Sequence, residues 1–193
     1  MKAPAFLPGP LCIWPVNKMR PDKAFFEQDV LDAAPQMVGM RMCRRLPDGQ
    51  VLSARITETE AYRGEEDKAC HASKGRTNRT EMMYRKGGHA YIYLIYGIHE
   101  LFNIVTGKEN EPQAVLIRAL EKPLNGPGKW TRAFSVTRQQ NGLYLPCSDE
   151  IWLEDDGWRP KIITAPRVGI DYAGEKWKNI PWRFIAHEGG NKQ

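Results

Sequence analysis

Cysteine is scarce in this chain of 193 residues: Cys12, Cys43, Cys70 and Cys147 are the four, and no two form a Cys-x-x-Cys pair. That spacing excludes a dense disulfide scaffold and fits a reducing compartment. Histidine is equally sparse. Cys70 and His71 adjoin, but no second Cys/His pair lies at zinc spacing, and no cysteine lies between His89 and His99. No metal and no cofactor is therefore expected. No apolar run is long enough to span a membrane. Pro4, Pro8, Pro10 and Pro15 interrupt the first residues and leave no continuous apolar stretch of the signal-peptide kind. Internal repeats and a domain-splitting linker are missing as well. The expectation is one domain over residues 1–193, with an irregular lead over 1–21 and a mobile tail over 189–193. It would be a soluble intracellular monomer, cytoplasmic with access to the nucleoid in a bacterium, nuclear in a eukaryote. Neither sign of charge dominates, and the net charge of +5 is a modest basic excess that suits nucleic acid without proving it.

What is present is strand patterning with a few helical signals. Asp22 is placed to cap a helix carrying Phe25, Phe26, Val30 and Leu31 and ending at Pro35. Pro47-Asp-Gly49 reads as a hairpin turn between strands over 40–46 and 51–62. Residues 63–88 form a long loop, of a length that is often functional. A short helix is expected after Gly128, and strands near 151–154, 162–168 and 183–187. Runs of strands with few helices indicate an α+β fold.

Two strands carry the chemistry. Arg55-Ile-Thr-Glu-Thr-Glu-Ala-Tyr62 alternates, so Ile56, Glu58, Glu60 and Tyr62 should share one face. Its carboxylates would stand roughly 6.5–7 Å apart, close enough that at least one needs a partner or solvent. An isolated Glu-x-Glu is more often a solvated pair; here Tyr62, His71 and a tyrosine-rich strand follow closely. That second strand, Ala90-Tyr-Ile-Tyr-Leu-Ile-Tyr96, is apolar on both faces and reads as buried. Tyr91 is expected to be a core residue whose hydroxyl reaches the surface. Tyr96 differs, because a large ring beside Gly97 at a turn needs a partner. Arg118 interrupts the apolar run Val115–Leu120, and a buried arginine requires an acid such as Glu58 or Glu60. Basic residues gather at Lys74, Arg76, Arg79, Arg85 and Lys86, and again at Lys122, Lys129 and Arg132.

Nine segments in order resemble the alkyladenine (3-methyladenine, or methylpurine) DNA glycosylase family of antiparallel-sheet type. They are Glu58-Thr-Glu-Ala-Tyr62, Cys70-His-Ala72, Gly75-Arg-Thr-Asn-Arg-Thr80, His89-Ala-Tyr-Ile-Tyr-Leu-Ile-Tyr-Gly97, Phe102-Asn-Ile-Val105, Val115-Leu-Ile-Arg-Ala-Leu-Glu121, Asn125-Gly-Pro-Gly-Lys129, Pro166-Arg-Val-Gly-Ile170 and Pro181-Trp-Arg-Phe-Ile185. Each alone is weak; together they cover about residues 22–186.

The resemblance implies a single-domain curved antiparallel sheet with peripheral helices and a hairpin that inserts into DNA. The implied activity is removal of alkylated or deaminated purines from double-stranded DNA by hydrolysis of the N-glycosidic bond. Residue by residue it makes Glu60 the general base, with Arg118 holding its water. Tyr62, His71 and Tyr93 become walls of the base pocket, Asn103 a residue that excludes guanine, and Tyr96 the intercalating residue. Arg76, Arg79 and Lys129 are candidate contacts to the DNA backbone. No lysine stands at the Glu60 position, so strand-cleaving lyase chemistry is not expected. The chain departs from the family pattern at Asn78, where proline is common, at Glu100, which adds a negative charge, and at Trp130. Two rival readings remain: a glycoside hydrolase using Glu58 and Glu60 as its carboxylate pair, and a non-catalytic protein that binds damaged or single-stranded DNA by stacking bases on Tyr93 and Tyr96.

Overall fold

The computed structural model describes residues 19–187; the expected tail and nearly all of the expected lead lie outside them. Two short helices come first, α1 (Lys23–Phe26) and α2 (Val30–Met37). The sequence reading joined them; instead Asp22 caps the first, accepting from the Phe25 amide, and Asp29 caps the second, accepting from the Leu31 amide. Pro35 does not end the helix but sits inside it, at the cost of one backbone hydrogen bond.

Eight strands follow: β1 (Arg41–Arg45), β2 (Val51–Arg63), β3 (Ala90–Ile95), β4 (His99–Val105), β5 (Gln113–Leu120), β6 (Ile151–Glu154), β7 (Ile162–Ala165) and β8 (Arg183–Ala186). They form one sheet in the order β3-β4-β5-β2-β1-β6, with β8 pairing β2 and β7, and all pairs are antiparallel. Helices α3 (Pro127–Ala133) and α4 (Glu175–Asn179) complete the α+β fold. No helix among the described residues is long and apolar enough to cross a membrane.

The long strand β2 does not keep the alternation expected of it. Ala54 and Ile56 face the core, but so do Thr59 and Ala61 further along, with the Thr59 hydroxyl donating to the Ala34 carbonyl of α2 at 2.9 Å. The cause is a local break in the β2–β5 ladder, whose register is irregular between Ile56 and Glu58 and again between Glu58 and Thr59. A bulge of this kind re-aims side chains. Strand β5 breaks at the same place: Leu120 faces the core, and after the break Ile117 and Val115 do. Ile56 is thereby separated from Glu58, Glu60 and Tyr62, and Arg118 emerges beside both glutamates.

Trp130 of α3 is fully buried against Phe102 and Phe134, and its indole N–H donates to the Ile117 carbonyl at 2.8 Å. The departure at this position belongs to the core. Trp130→Ala is expected to lower stability by about 3–5 kcal/mol, read from denaturant midpoints, and to leave the order of preference among ligands of the cavity described below unchanged.

Candidate active site

A cavity of about 610 Å³ opens on the face of the sheet that carries Glu60. Strands β2, β3, β4 and β5 supply Glu60 and Tyr62, Tyr91 and Tyr93, Asn103, and Arg118 respectively; His71 comes from the loop after β2. Arg79, Tyr96 and Lys129 also line it, so nine of the ten residues singled out from sequence meet in one place. Arg76 does not. Its guanidinium grips Glu81 in two hydrogen bonds of 2.7 and 2.8 Å and a third reaches Asn110 at 3.0 Å.

Glu60 has no exposed side-chain surface. Its Oε1 accepts the Val168 amide at 2.8 Å, and its Oε2 accepts the Tyr62 hydroxyl at 2.8 Å. Arg118 Nε lies 3.0 Å from Glu58 Oε1 and 3.6 Å from Glu60 Oε1. Glu58 also accepts from Arg183 at 2.9 Å, so two arginines hold it. The two carboxylates are thus unequal. Burial pushes the pKa of Glu60 above the ordinary carboxylate value, against the opposing pull of Arg118, the Val168 amide and Tyr62. Each carboxylate oxygen keeps a second lone pair, so Glu60 can take a proton from a water in the cavity.

The aromatic wall is built from both sides of the chain. The His71 ring packs edge-on to Tyr93, with centroids 4.6 Å apart, and its Nδ1 is 2.9 Å from the Tyr91 hydroxyl. Burial, with Arg79 and Lys74 nearby, lowers the His71 pKa to about 4, so its imidazole is neutral at physiological pH. Tyr91 corrects an expectation: its hydroxyl does not reach the surface but joins His71 inside the cavity, and the residue is 3% exposed. Nothing in a single strand's pattern could give that pairing across twenty residues of loop. Asn103 donates its side-chain amide to the Tyr91 carbonyl at 3.0 Å, which fixes its orientation in the floor.

The β3–β4 hairpin stands at the mouth. Its turn, Tyr96-Gly97-Ile98, leaves two apolar side chains in solvent, Tyr96 at 85% and Ile98 at 67% exposed. Tyr96 also adopts φ 52°, a left-handed conformation that is costly for a bulky residue. Exposure and backbone strain thus coincide at the hairpin tip. Ile98 and Tyr172, 71% exposed at the rim, were missed from sequence, since nothing in local pattern separates them from ordinary surface residues. The first turn of α3 packs closely against the hairpin's base: a side chain at Gly128 would come within 2.8 Å of His99 Nδ1.

Two departures from the family pattern acquire explanations. Glu100 is paired with Arg138 at 3.1 Å, so its charge is offset within the protein. The loop carrying Asn78 needs no proline to be held. Thr77 and Thr80 bond one another, and Thr80 donates to the Gly75 carbonyl at 2.9 Å.

A sequence profile for methylpurine-DNA glycosylase (MPG) matches residues 24–124 and 121–189. The chain belongs to the methylpurine-DNA glycosylase family. Relatives named as candidate 3-methyladenine DNA glycosylases include one from Methanocella arvoryzae, 45% identical over 179 residues, covering 83% of this chain and 88% of the relative. Another, from Natranaerobius thermophilus, is 42% identical over 193 residues, covering 88% and 96%. A third, from Chlamydia abortus, is 43% identical over 190 residues, covering 88% and 98%. Within this family frame the cavity, the paired strands and the exposed hairpin occupy one continuous face.

Proposed function

We propose that this protein is a monofunctional DNA glycosylase that removes 3-methyladenine, 7-methylguanine, hypoxanthine and etheno-adenine from double-stranded DNA, leaving an abasic site. The observation that carries the reading is Glu60: a buried carboxylate, held at both oxygens and flanked by Arg118, in an aromatic cavity behind an exposed tyrosine tip. A base inside a duplex is out of reach, so the nucleotide must swing out at a cost of about a few kcal/mol. Tyr96 fills the gap, Tyr62, His71 and Tyr93 enclose the base, and Asn103 crowds the exocyclic amine of guanine. Tyrosine faces attract the positive charge of N3- and N7-alkylated purines. Glu60 then takes a proton from the water that attacks the sugar C1′ as the C1′–N bond breaks; the bond's electron pair leaves with the base, neutralising a cationic N3- or N7-methylpurine, while hypoxanthine or etheno-adenine leaves as an anion that takes up a proton from solvent. Arg79 and Lys129 at the rim meet phosphates; Arg76, already paired, is the weakest of the three candidates. The protein acts as a monomer without cofactor, wherever the cell keeps its DNA. Glu58 is gripped by two arginines, Arg118 at 3.0 Å and Arg183 at 2.9 Å, and so is not free to meet a glycosidic oxygen as the second carboxyl of a glycoside hydrolase.

The test is a lesion panel. Excess enzyme is incubated with end-labelled duplexes holding one hypoxanthine or one etheno-adenine, and with randomly methylated DNA, followed by alkali. Strand breaks at the lesion are expected; intact strands from all substrates, with tight lesion binding, would make this a binding protein.

Tyr96→Ala is expected to lower base release from duplex hypoxanthine substrate about 5- to 150-fold, the equivalent of roughly 1–3 kcal/mol of stacking. In single-stranded substrate there is no gap to fill, and the loss should largely disappear.

A further inference from the structure

Behind the cavity lies a buried ion pair that the catalytic reading leaves unused. Arg167 and Asp67 both have fully buried side chains. The guanidinium donates to Asp67 Oδ2 at 2.5 Å and Oδ1 at 2.9 Å, and to the Ala61 carbonyl at 2.9 Å. Asp67 in turn accepts from the backbone amides of Arg63 at 3.2 Å and Ala69 at 3.0 Å. The guanidinium carbon lies over the Tyr62 ring at 4.8 Å from its centroid and over the Trp182 ring at 5.1 Å.

Such a pair adds little net stability, because desolvation consumes most of its attraction. This one also leaves Arg167 Nε buried without an acceptor. Its distinctive consequence is geometric. Glu60 is held by Tyr62 and by the Val168 amide. Arg167 stacks on the first of these and is the residue immediately before the second, while its bond to Ala61 ties it to the strand between Glu60 and Tyr62. We propose that Arg167, locked by Asp67, is a positioning residue for Glu60: it fixes together the Tyr62 hydroxyl and the Val168 amide that hold the two oxygens of the base. The proposal rests on the reading of Glu60 as the general base. The titratable and charged groups facing Glu60 are Tyr62 and Glu58 of its own strand, Arg118 of β5 and Tyr93 of β3, with Arg183 of β8 on the far side of Glu58.

The test compares the full-length wild type with Arg167→Lys, Asp67→Asn, Tyr62→Phe and the Arg167→Lys/Tyr62→Phe double variant. The readouts are single-turnover release of hypoxanthine from duplex DNA across pH, affinity for the same duplex, and thermal unfolding. Arg167→Lys keeps the charge but loses the fork that sets the geometry. It is expected to slow release about 100-fold, the cost of a displacement on the order of 1 Å. It should also move the acid limb to higher pH, since Glu60 loses donors to its ionised form, while affinity for the duplex holds within about threefold. In the double variant the effects should be less than multiplicative, because both changes act on the same bond. An acid limb that stays in place, with rate lost only in proportion to protein unfolded, would overturn the proposal; so would effects that multiply. Should Arg167→Lys fail to fold, Asp67→Asn carries the same readouts. A wild type that releases no base refutes the function itself. A wild type that is active and loses activity on Glu60→Gln, with the limb of Arg167→Lys unmoved, refutes this inference alone.

Discussion

Glu60→Gln should slow single-turnover base release by about 10²- to 10⁴-fold, the usual worth of a general base, while affinity for a lesion duplex changes little. Glutamine is nearly isosteric with Glu60 and can still accept the Val168 amide, so the cavity keeps its shape. The variant should not be less stable. Burial raises the pKa of Glu60, so its ionised form opposes folding. That cost grows as pH rises past the ordinary carboxylate value of 4.5 and is complete above the folded-state value. Glutamine carries no such cost, so the variant should melt at or above the wild-type temperature at neutral pH, and the advantage should vanish below about pH 4.5. Equal loss of rate and of melting temperature would mean that Glu60 is structural. In the wild type the same shift sets the acid side of the pH–rate profile. Activity needs the carboxylate, so it is lost as pH falls through the raised value, earlier than for an ordinary glutamate.

Arg118→Met should be nearly as damaging. The variant removes the cation facing Glu58 and Glu60 together and leaves two carboxylates on one face, with Arg183 alone to offset them. Removing one preorganised electrostatic group beside the reacting atoms typically costs about 10²- to 10³-fold in rate, and a loss of that order is expected at neutral pH. Because Arg118 favours the ionised form of Glu60, its removal should drive the acid limb to higher pH. Part of the lost rate should therefore return as pH is raised. A uniform loss at every pH would instead assign Arg118 to holding the attacking water alone.

The physics explains which of these features could be read from sequence. Arg118 was legible because an arginine inside an apolar strand must find an acid, and in the fold it lies between Glu58 and Glu60. Tyr96 was legible because a large ring beside a turn glycine has nowhere to bury. The α+β class and most strand positions followed from alternation and turn chemistry. The faces of β2 did not, since alternation assumes an unbroken ladder and the break near Glu58 is made jointly with a strand some sixty residues away. Pro35 misled because a proline is a frequent helix stop, yet α2 continues through it. Arg167 lies in the Pro166-Arg-Val-Gly-Ile170 segment with no local sign of its pairing, because its partners Asp67 and Ala61 are a hundred or more residues away. Tyr91 likewise depends on His71 from the preceding loop.

The central claim is that water activated at Glu60 replaces the base on an intact DNA strand. The most direct measurement incubates the wild-type protein with a duplex holding one hypoxanthine, in the presence and absence of borohydride, and counts free base by mass spectrometry against alkali-labile sites. The account predicts free hypoxanthine and alkali-labile sites in equal amount, unbroken strands before alkali, and no protein–DNA adduct with borohydride. A trapped covalent adduct, or lesion binding without any free base, would contradict it.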